Sequence, residues 1–258
     1  MSISWPSFTG TDKLVGKSPS GKVSVHVDPS LGVPGMANAT ALLDDADRII
    51  TANDRIFRTP SQPVNVIIFA MSGATDGTGG ADHMACDYVN GGNIEVCAAF
   101  GQPMRVSALF EAELSECSMS HNLCGQSTGE ALSRWCASVV SGDALSDFAS
   151  APTWVADGMN DFINQTDPTD QNYDSIGCGM AFISWLISWD YGLDVIAPAM
   201  VKLGDSGTFA QLCTVLPGAK PDPWPRFMAA LNALPGGVTD DNPFGRKVAV
   251  LKSHRLQK

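Results

Sequence analysis

The sequence predicts an α+β fold, in which a small N-terminal sheet with its helices is followed by an all-helical C-terminal lobe. Residues 22–28 alternate apolar and polar side chains, as a half-buried strand does, and residues 64–71 form a short apolar run suited to the interior of a sheet. From Val106 onward the apolar spacing becomes helical. Strands that come before a series of helices are typical of α+β proteins, whereas strands and helices that alternate along the chain would indicate an α/β protein.

Capping residues and chain breakers indicate the other elements. A helix is predicted to begin at Asn38 or Thr40 and to end at Phe57, and residues 81–99 are predicted to form a hairpin with a Gly-Gly turn. The helix that contains Val106 is followed by a polar break over 121–129 and by a second helix. Further helices are predicted at 144–149, 152–164, 175–190, 194–203, 207–215 and 223–233.

This order of elements divides the chain into a sheet lobe (1–125), a helical lobe (126–237) and a basic tail (238–258). The chain of 258 residues carries a net charge of −11, although five of its 16 basic residues lie in the last 13 positions. The preceding part therefore has a net charge of −16. Because such an acidic surface repels phosphate backbones, no nucleic-acid partner is predicted.

The sequence gives limited information about the binding partner and the cellular compartment. No run of 18 or more apolar residues exists, so no membrane span is predicted. The first residues do not resemble a signal peptide, which fits a cytoplasmic protein and equally a processed secreted one. The expected partner is a peptide or a small-molecule ligand, and the oligomeric state is left open.

Seven cysteines are many for a chain of this length, and no two of them form a CxxC pair. If the hairpin turns at Gly91 and Gly92, Cys86 lies opposite Cys97, close enough for a disulfide. Two thiols packed as small apolar groups are the alternative interpretation. The disulfide would indicate an oxidising compartment.

The first helix after the hairpin contains the motif Ala-Glu-Leu-Ser-Glu at 112–116, and Gly-Glu-Ala-Leu follows at 129–132. This layout resembles the zincin metallopeptidases, and in particular the gluzincin and basic-secretory-type families, whose active-site helix carries HExxH. In that motif two histidines one helical turn apart hold zinc, and the glutamate activates water. The resemblance implies a zincin-like fold and a hydrolase with a degenerate metal site.

Carried over onto this sequence, the resemblance implies that Glu113 is the catalytic base and that Glu130 is the third metal ligand. Ala112 stands at the first ligand position and cannot bind metal, while Glu116 stands at the second and can. His83 or His121 would have to supply a nitrogen ligand. The cofactor implied is a divalent metal ion, held by His83, Glu116 and Glu130.

Helical phase gives separate information about the same carboxylates. Glu113 lies on the apolar stripe and Glu116 borders it, so both are predicted to face inward, whereas Glu111 is predicted to face solvent. Structural roles remain alternatives. Ser127 and Glu130 fit a helix-capping box, Glu130 is also spaced to pair with Arg134, and Glu113 has Arg105 or Arg134 as candidate ion-pair partners.

Three functional hypotheses follow. The first is a hydrolase that uses a cluster of Glu113, Glu116 and Glu130 in a cleft between the two lobes, with Arg134 among the binding residues. The second is a non-catalytic binding or structural protein on a peptidase-derived scaffold. The third is a glycosidase in which Glu113 and Glu130 act as acid and base, a role that requires their carboxyl groups to face each other across about 5–10 Å.

Overall fold

The computed structural model describes residues 3–245 of the chain and confirms the predicted α+β class. It contains a five-stranded sheet near the N-terminus and, among the described residues, eight α-helices. The five basic residues of the predicted tail, at 246, 247, 252, 255 and 258, lie outside the described residues. Within residues 3–245 no helix is both long and apolar enough to cross a membrane.

Contacts divide the chain into two compact units. The first unit includes the residues up to Gly125 together with Ser133–Phe148, and the second includes Gln126–Leu132 and the residues from Ala149 onward. Helix α3 (Ser127–Ser141) therefore contributes its first turns to the second unit and the rest to the first.

The sheet of the first unit has the strand order β1-β2-β3-β5-β4. Its central strands β2, β3 and β5 are parallel, while β1 and β4 pair antiparallel at the two edges. The strands are β1 (Lys13–Lys17), β2 (Val23–Val27), β3 (Val64–Phe69), β4 (Ala81–His83) and β5 (Asn93–Cys97). Alternating valines and isoleucines of β2, β3 and β5 are fully buried, as expected for the interior of a parallel sheet.

Two helices pack against this sheet and against each other. Helix α1 (Gly32–Phe57) is the crossover between the parallel strands β2 and β3. Helix α2 (Pro103–Ser118) follows β5 and contacts α1, β5 and β4. Because α2 is covered on more than one side, residues on both its apolar and its polar face are buried.

The second unit is helical throughout its described elements. These are α4 (Ala151–Ala156), α5 (Tyr173–Ser188), α6 (Leu193–Leu203), α7 (Phe209–Val215) and α8 (Trp224–Asn232). Helix α5 is the centre of this unit, since all residues from Ser175 to Ile187 are buried. Phe182 contacts the rings of Trp185, Phe209 and Phe227, so this aromatic stripe is core.

Several predicted boundaries were wrong. Helix α1 begins at Gly32, before both predicted caps, and β1 was not predicted because its strand is largely exposed. The helix predicted over 152–164 ends at Ala156, where Gly158 and Met159 adopt positive φ angles of 98° and 54°. Two consecutive left-handed residues cannot continue a right-handed helix.

Candidate functional site

The candidate site is formed by one edge strand and one helix of the first unit. Glu113 and Glu116 are three residues apart on α2 and therefore lie on one side of that helix. His83 is the last residue of β4, whose antiparallel pairing with β5 places it opposite Ile94. Because β4 also contacts α2, the imidazole of His83 reaches both carboxylates.

The three side chains form a compact group, called here the His83 cluster. The His83 Nδ1 atom lies 2.8 Å from Glu113 Oε2, and the His83 Nε2 atom lies 3.6 Å from Glu116 Oε2. One donor atom of each residue lies within 4.8 Å of the others. The side chains are only 12%, 14% and 16% exposed, respectively, so the cluster is sheltered but open to solvent.

A disulfide lies against this cluster. Cys86 is bonded to Cys124, with their Cα atoms 5.8 Å apart, and the Sγ atom of Cys86 lies 3.2 Å from His83 Nε2. The imidazole of His83 therefore contacts a carboxylate through Nδ1 and a disulfide sulfur through Nε2.

The predicted pairing of Cys86 with Cys97 was wrong. Strand β4 ends at His83, and residues 84–92 form a loop instead of the second half of a regular hairpin. The expected alignment across a Gly-Gly turn therefore does not exist, and Cys97 is a buried free thiol. Gly91 is needed for another reason: a Cβ atom there would collide with the backbone oxygen of Ala85 within the loop.

The prediction for Glu111 was also wrong, because it is fully buried and not exposed to solvent. Neither carboxyl oxygen has a hydrogen-bond partner among the described residues. Burial raises the pKa of Glu111 well above its ordinary value, while Arg48 acts to lower it and Asp54 to raise it further. The packing of α1 against the polar side of α2 explains the error, since spacing on one helix does not reveal what covers it.

Glu130 and Arg134 both lie on α3 and are divided between the two compact units. Glu130 is in the first turn of α3 and belongs to the second unit, whereas Arg134 belongs to the first unit and donates from Nη1 to the Phe148 carbonyl at 2.8 Å. Ser127, the predicted cap, is the first residue of α3, and its hydroxyl donates to the Thr169 carbonyl at 2.5 Å.

Arg105 and His121, two further candidates, have partners other than those predicted. Arg105 donates from Nη1 and Nη2 to the two carboxylate oxygens of Asp147, at 2.6 and 2.9 Å, and so forms a bidentate pair. His121 is 67% exposed and its Nε2 atom lies 2.8 Å from Asp87 Oδ2. Neither residue was predicted to have these partners, because both partners are distant in sequence.

A cavity of about 510 Å³ lies in the same unit. Its lining includes Asp87, Tyr88, Ser118 and His121, which neighbour the cluster in sequence, but none of the cluster's three residues. The Tyr88 hydroxyl contacts Ser118 Oγ at 2.5 Å, and burial raises the pKa of Tyr88 to about 12. The Tyr88 hydroxyl therefore stays protonated near neutral pH, and the polar side chains of the lining suit a hydrogen-bonding ligand.

The donor set of the His83 cluster fits a divalent cation. One imidazole and two carboxylates are donors that Zn²⁺ and Mn²⁺ accept, although the set differs from the two histidines and one carboxylate of zincins. Cys117 lies next on α2, and its pKa is raised by burial first and by Glu113 and Glu116 in addition, so its thiol is protonated and a poor ligand. Comparison with known proteins gave no matching family model and no matching curated protein.

Proposed function

We propose that this protein is a zincin-like hydrolase whose divalent metal ion is held by His83 and Glu116 in place of the two histidines of HExxH. The observation that supports this proposal is the convergence of His83, Glu113 and Glu116, which come from two different elements. A bound cation would supply Lewis acidity to polarise a scissile carbonyl and to acidify water.

In this proposal Glu113 has two tasks. Its Oε2 atom, 2.8 Å from His83 Nδ1, accepts a hydrogen bond from the Nδ1–H group and thereby leaves the Nε2 lone pair as the donor for a cation. A carboxylate has about four lone-pair sites, so the same group retains the capacity to take a proton from an attacking water. Glu113 would therefore orient His83 and act as general base.

Peptides are the substrate class that the zincin resemblance implies. The shelter of the cluster and the polar cavity next to it in sequence are compatible with a substrate that has several hydrogen-bonding groups. Glu130, the predicted third ligand, belongs to the other compact unit, and its role as a ligand stays a prediction.

The rival function is structural. The same distances fit an imidazolium that joins Glu113 to Glu116 and fastens the short strand β4 onto α2, with no metal. This non-catalytic interpretation is favoured by the direct contact of His83 with Glu113. The glycosidase hypothesis stays a prediction, since Glu113 and Glu130 belong to different units.

The deciding experiment measures metal binding by the oxidised, full-length protein, using isothermal titration calorimetry with Mn²⁺ and Zn²⁺. We expect one site per chain, lost in His83→Ala and Glu116→Gln, and hydrolysis of a fluorogenic peptide library that requires the same residues. His121→Gln is the matched control, because it removes another histidine–carboxylate contact outside the cluster.

Two results would oppose the proposal. Equal metal affinity in wild type, His83→Ala and Glu116→Gln would place any site elsewhere. Absence of metal binding, combined with a loss of stability in His83→Ala, would support the structural function, in which His83 fastens β4 onto α2.

A further inference from the structure

The strongest feature that the proposed function does not use is the disulfide beside the cluster. The donor atoms of His83, Cys86 and Cys124 lie within 4.8 Å of one another. Two cysteines and one histidine are the donor set of many zinc sites, in which a carboxylate or water completes the tetrahedron. In the disulfide the sulfurs are bonded to each other, so they are not available as thiolate ligands.

We propose that the Cys86–Cys124 disulfide is a redox gate, and that its reduction creates a zinc site made of Cys86, Cys124 and His83. This inference deepens the proposed function, because His83 and Glu116 then belong to both forms of the site. The oxidised form offers nitrogen and oxygen donors, and the reduced form adds two sulfurs, which favour Zn²⁺ over Mn²⁺.

Accessibility of the disulfide supports the reduction step. Cys86 is only 2% exposed, but Cys124 is an exposed residue in the loop between α2 and α3. A dithiol reductant can therefore reach the Cys124 sulfur, and exposed disulfides are the labile ones. The five other cysteines are buried free thiols, so this pair forms the one disulfide among the described residues.

The step balances as a thiol–disulfide exchange. The dithiol attacks the Cys124 sulfur, the Cys86–Cys124 bond breaks, and Cys86 leaves as a thiolate that takes up a proton. The second thiol of the reductant then displaces Cys124 and the reductant departs as its own disulfide, so two electrons and two protons have been transferred. Zinc binding releases the two thiol protons to solvent.

The loop that carries Cys124 is also held near Cys86 without the disulfide. The His121 amide donates to the Cys86 carbonyl at 2.7 Å, and the His121 side chain contacts Asp87 at 2.8 Å. Leu123, the residue before Cys124, is buried and 2% exposed. These three anchors keep the two thiols close together after reduction, so that the entropy lost on forming the metal site is small.

The spacing of the two cysteines suits a zinc site. Zn–S bonds of about 2.3 Å in a tetrahedral site separate two sulfurs by about 4 Å. The Cα atoms of Cys86 and Cys124 are 5.8 Å apart, and the sulfurs have only to rotate away from each other while His83 Nε2 stays near. Glu116, whose Oε2 atom lies 3.6 Å from Nε2, is the proposed fourth ligand.

The test uses Co²⁺ as a spectroscopic substitute for Zn²⁺ in the full-length protein. The protein is reduced with dithiothreitol, desalted without oxygen and titrated with Co²⁺. We expect one Co²⁺ per chain with a thiolate-to-cobalt charge-transfer band, which Zn²⁺ displaces and which vanishes after reoxidation. We also expect Zn²⁺ to bind the reduced form at least about 100-fold more tightly than the oxidised form.

Variants assign the ligands. Cys124→Ser should abolish the two-thiolate spectrum and His83→Gln should weaken binding, whereas Cys213→Ser, which removes a buried thiol elsewhere, should change nothing. Zinc X-ray absorption of the reduced wild type counts sulfur ligands without any variant, and two sulfurs are expected. A reduced wild type without a thiolate band, or a band that persists in Cys124→Ser, would overturn the inference.

The outcome is independent of the test of the proposed function. Oxidised protein that binds no metal, combined with two sulfur ligands in the reduced protein, would remove the hydrolase proposal and support the redox gate. Oxidised protein that binds Mn²⁺, combined with reduced protein that shows no sulfur ligand, would remove the redox gate alone.

Discussion

Two glutamates of the first unit are equally buried but have opposite surroundings. Glu95 on β5 and Glu111 on α2 are both 0% exposed. Glu95 accepts hydrogen bonds from the Ser7 amide at 3.0 Å, the Ser7 hydroxyl at 2.6 Å and the Phe8 amide at 2.6 Å. Glu111 accepts none from the described residues.

The difference shows how the surroundings of a buried carboxylate compensate, or fail to compensate, its lost hydration. At Glu95 the N-terminal segment brings three donors, which compensate the loss of hydration. At Glu111 the nearest cation is Arg48, but this guanidinium donates to Asp45 and to the Val140 carbonyl. Glu111 is consequently expected to be protonated and neutral in the folded protein.

The largest expected change in stability is at Glu95, whose carboxylate accepts three hydrogen bonds. We expect Glu95→Ala to destabilise the protein by about 3–4 kcal/mol, since three donors lose their acceptor and a buried cavity is left. Urea denaturation monitored by fluorescence measures this change. A loss of less than about 1 kcal/mol would mean that water replaces the carboxylate at no cost.

At Glu111, whose carboxyl group has no hydrogen-bond partner among the described residues, substitution should stabilise the protein instead. We expect Glu111→Leu to stabilise the protein by about 2–3 kcal/mol at pH 8 and by less at pH 5. Because the pKa of Glu111 is raised in the folded protein, its contribution to stability is intact below its ordinary pKa of 4.5. That contribution is lost as the pH rises towards the folded pKa. The leucine variant does not titrate, so its advantage over wild type should increase with pH.

Parallel urea titrations at pH 5 and pH 8 give the measurement for Glu111. The isosteric variant Glu111→Gln is the control for volume, and it should show the same pH trend with a smaller gain because an amide is still polar. An advantage that shrinks as the pH rises would contradict a protonated Glu111.

The half-buried His83 cluster should respond less than either buried site. His83→Ala removes the 2.8 Å contact with Glu113 and the weaker one with Glu116, and we expect a loss of about 1–2 kcal/mol in metal-free, oxidised protein. Thermal unfolding with a chelator present measures it. Stability equal to wild type would mean that β4 is held by its pairing with β5 alone.

Within the cluster, Glu113→Gln should cost more than Glu116→Gln. The first replaces the carboxylate acceptor of a 2.8 Å hydrogen bond by an amide oxygen, which is a weaker acceptor. The second changes a partner at 3.6 Å, beyond hydrogen-bond length. We expect about 1 kcal/mol for Glu113→Gln and less than about 0.5 kcal/mol for Glu116→Gln. If metal is then added, the order should reverse, because Glu116 is the proposed ligand.

The sequence was sufficient for elements whose signal is local. The alternation in β2, the apolar run of β3 and the helical spacing of α2 and α5 each depend on neighbouring residues, and all of them were confirmed. Strand β1 was missed because an exposed edge strand needs no apolar pattern. The hairpin register was wrong because loop 84–92, with its own hydrogen bonds to Asp87, replaces a two-residue turn.

The candidate site was predicted only in part. Helical spacing alone places Glu113 and Glu116 on the same side of α2, and His83 was one of two histidines considered as a nitrogen donor. That His83 reaches both carboxylates, while His121 reaches Asp87, depends on how β4 pairs with β5 and how α2 packs on both. The Cys86–Cys124 bond joins a loop before β5 to a loop after α2, so no local pattern predicts it.

The sequence by itself determined the α+β class and the acidic character of α2, because periodicity and composition are properties of short segments. Only the tertiary structure decided which acidic residue is buried, which one meets a histidine and which cysteines pair. Those outcomes depend on contacts between segments distant along the chain, such as α1 over Glu111 and β4 over Glu113. The physical reason is that the state of a carboxylate depends on the donors and the solvent around it.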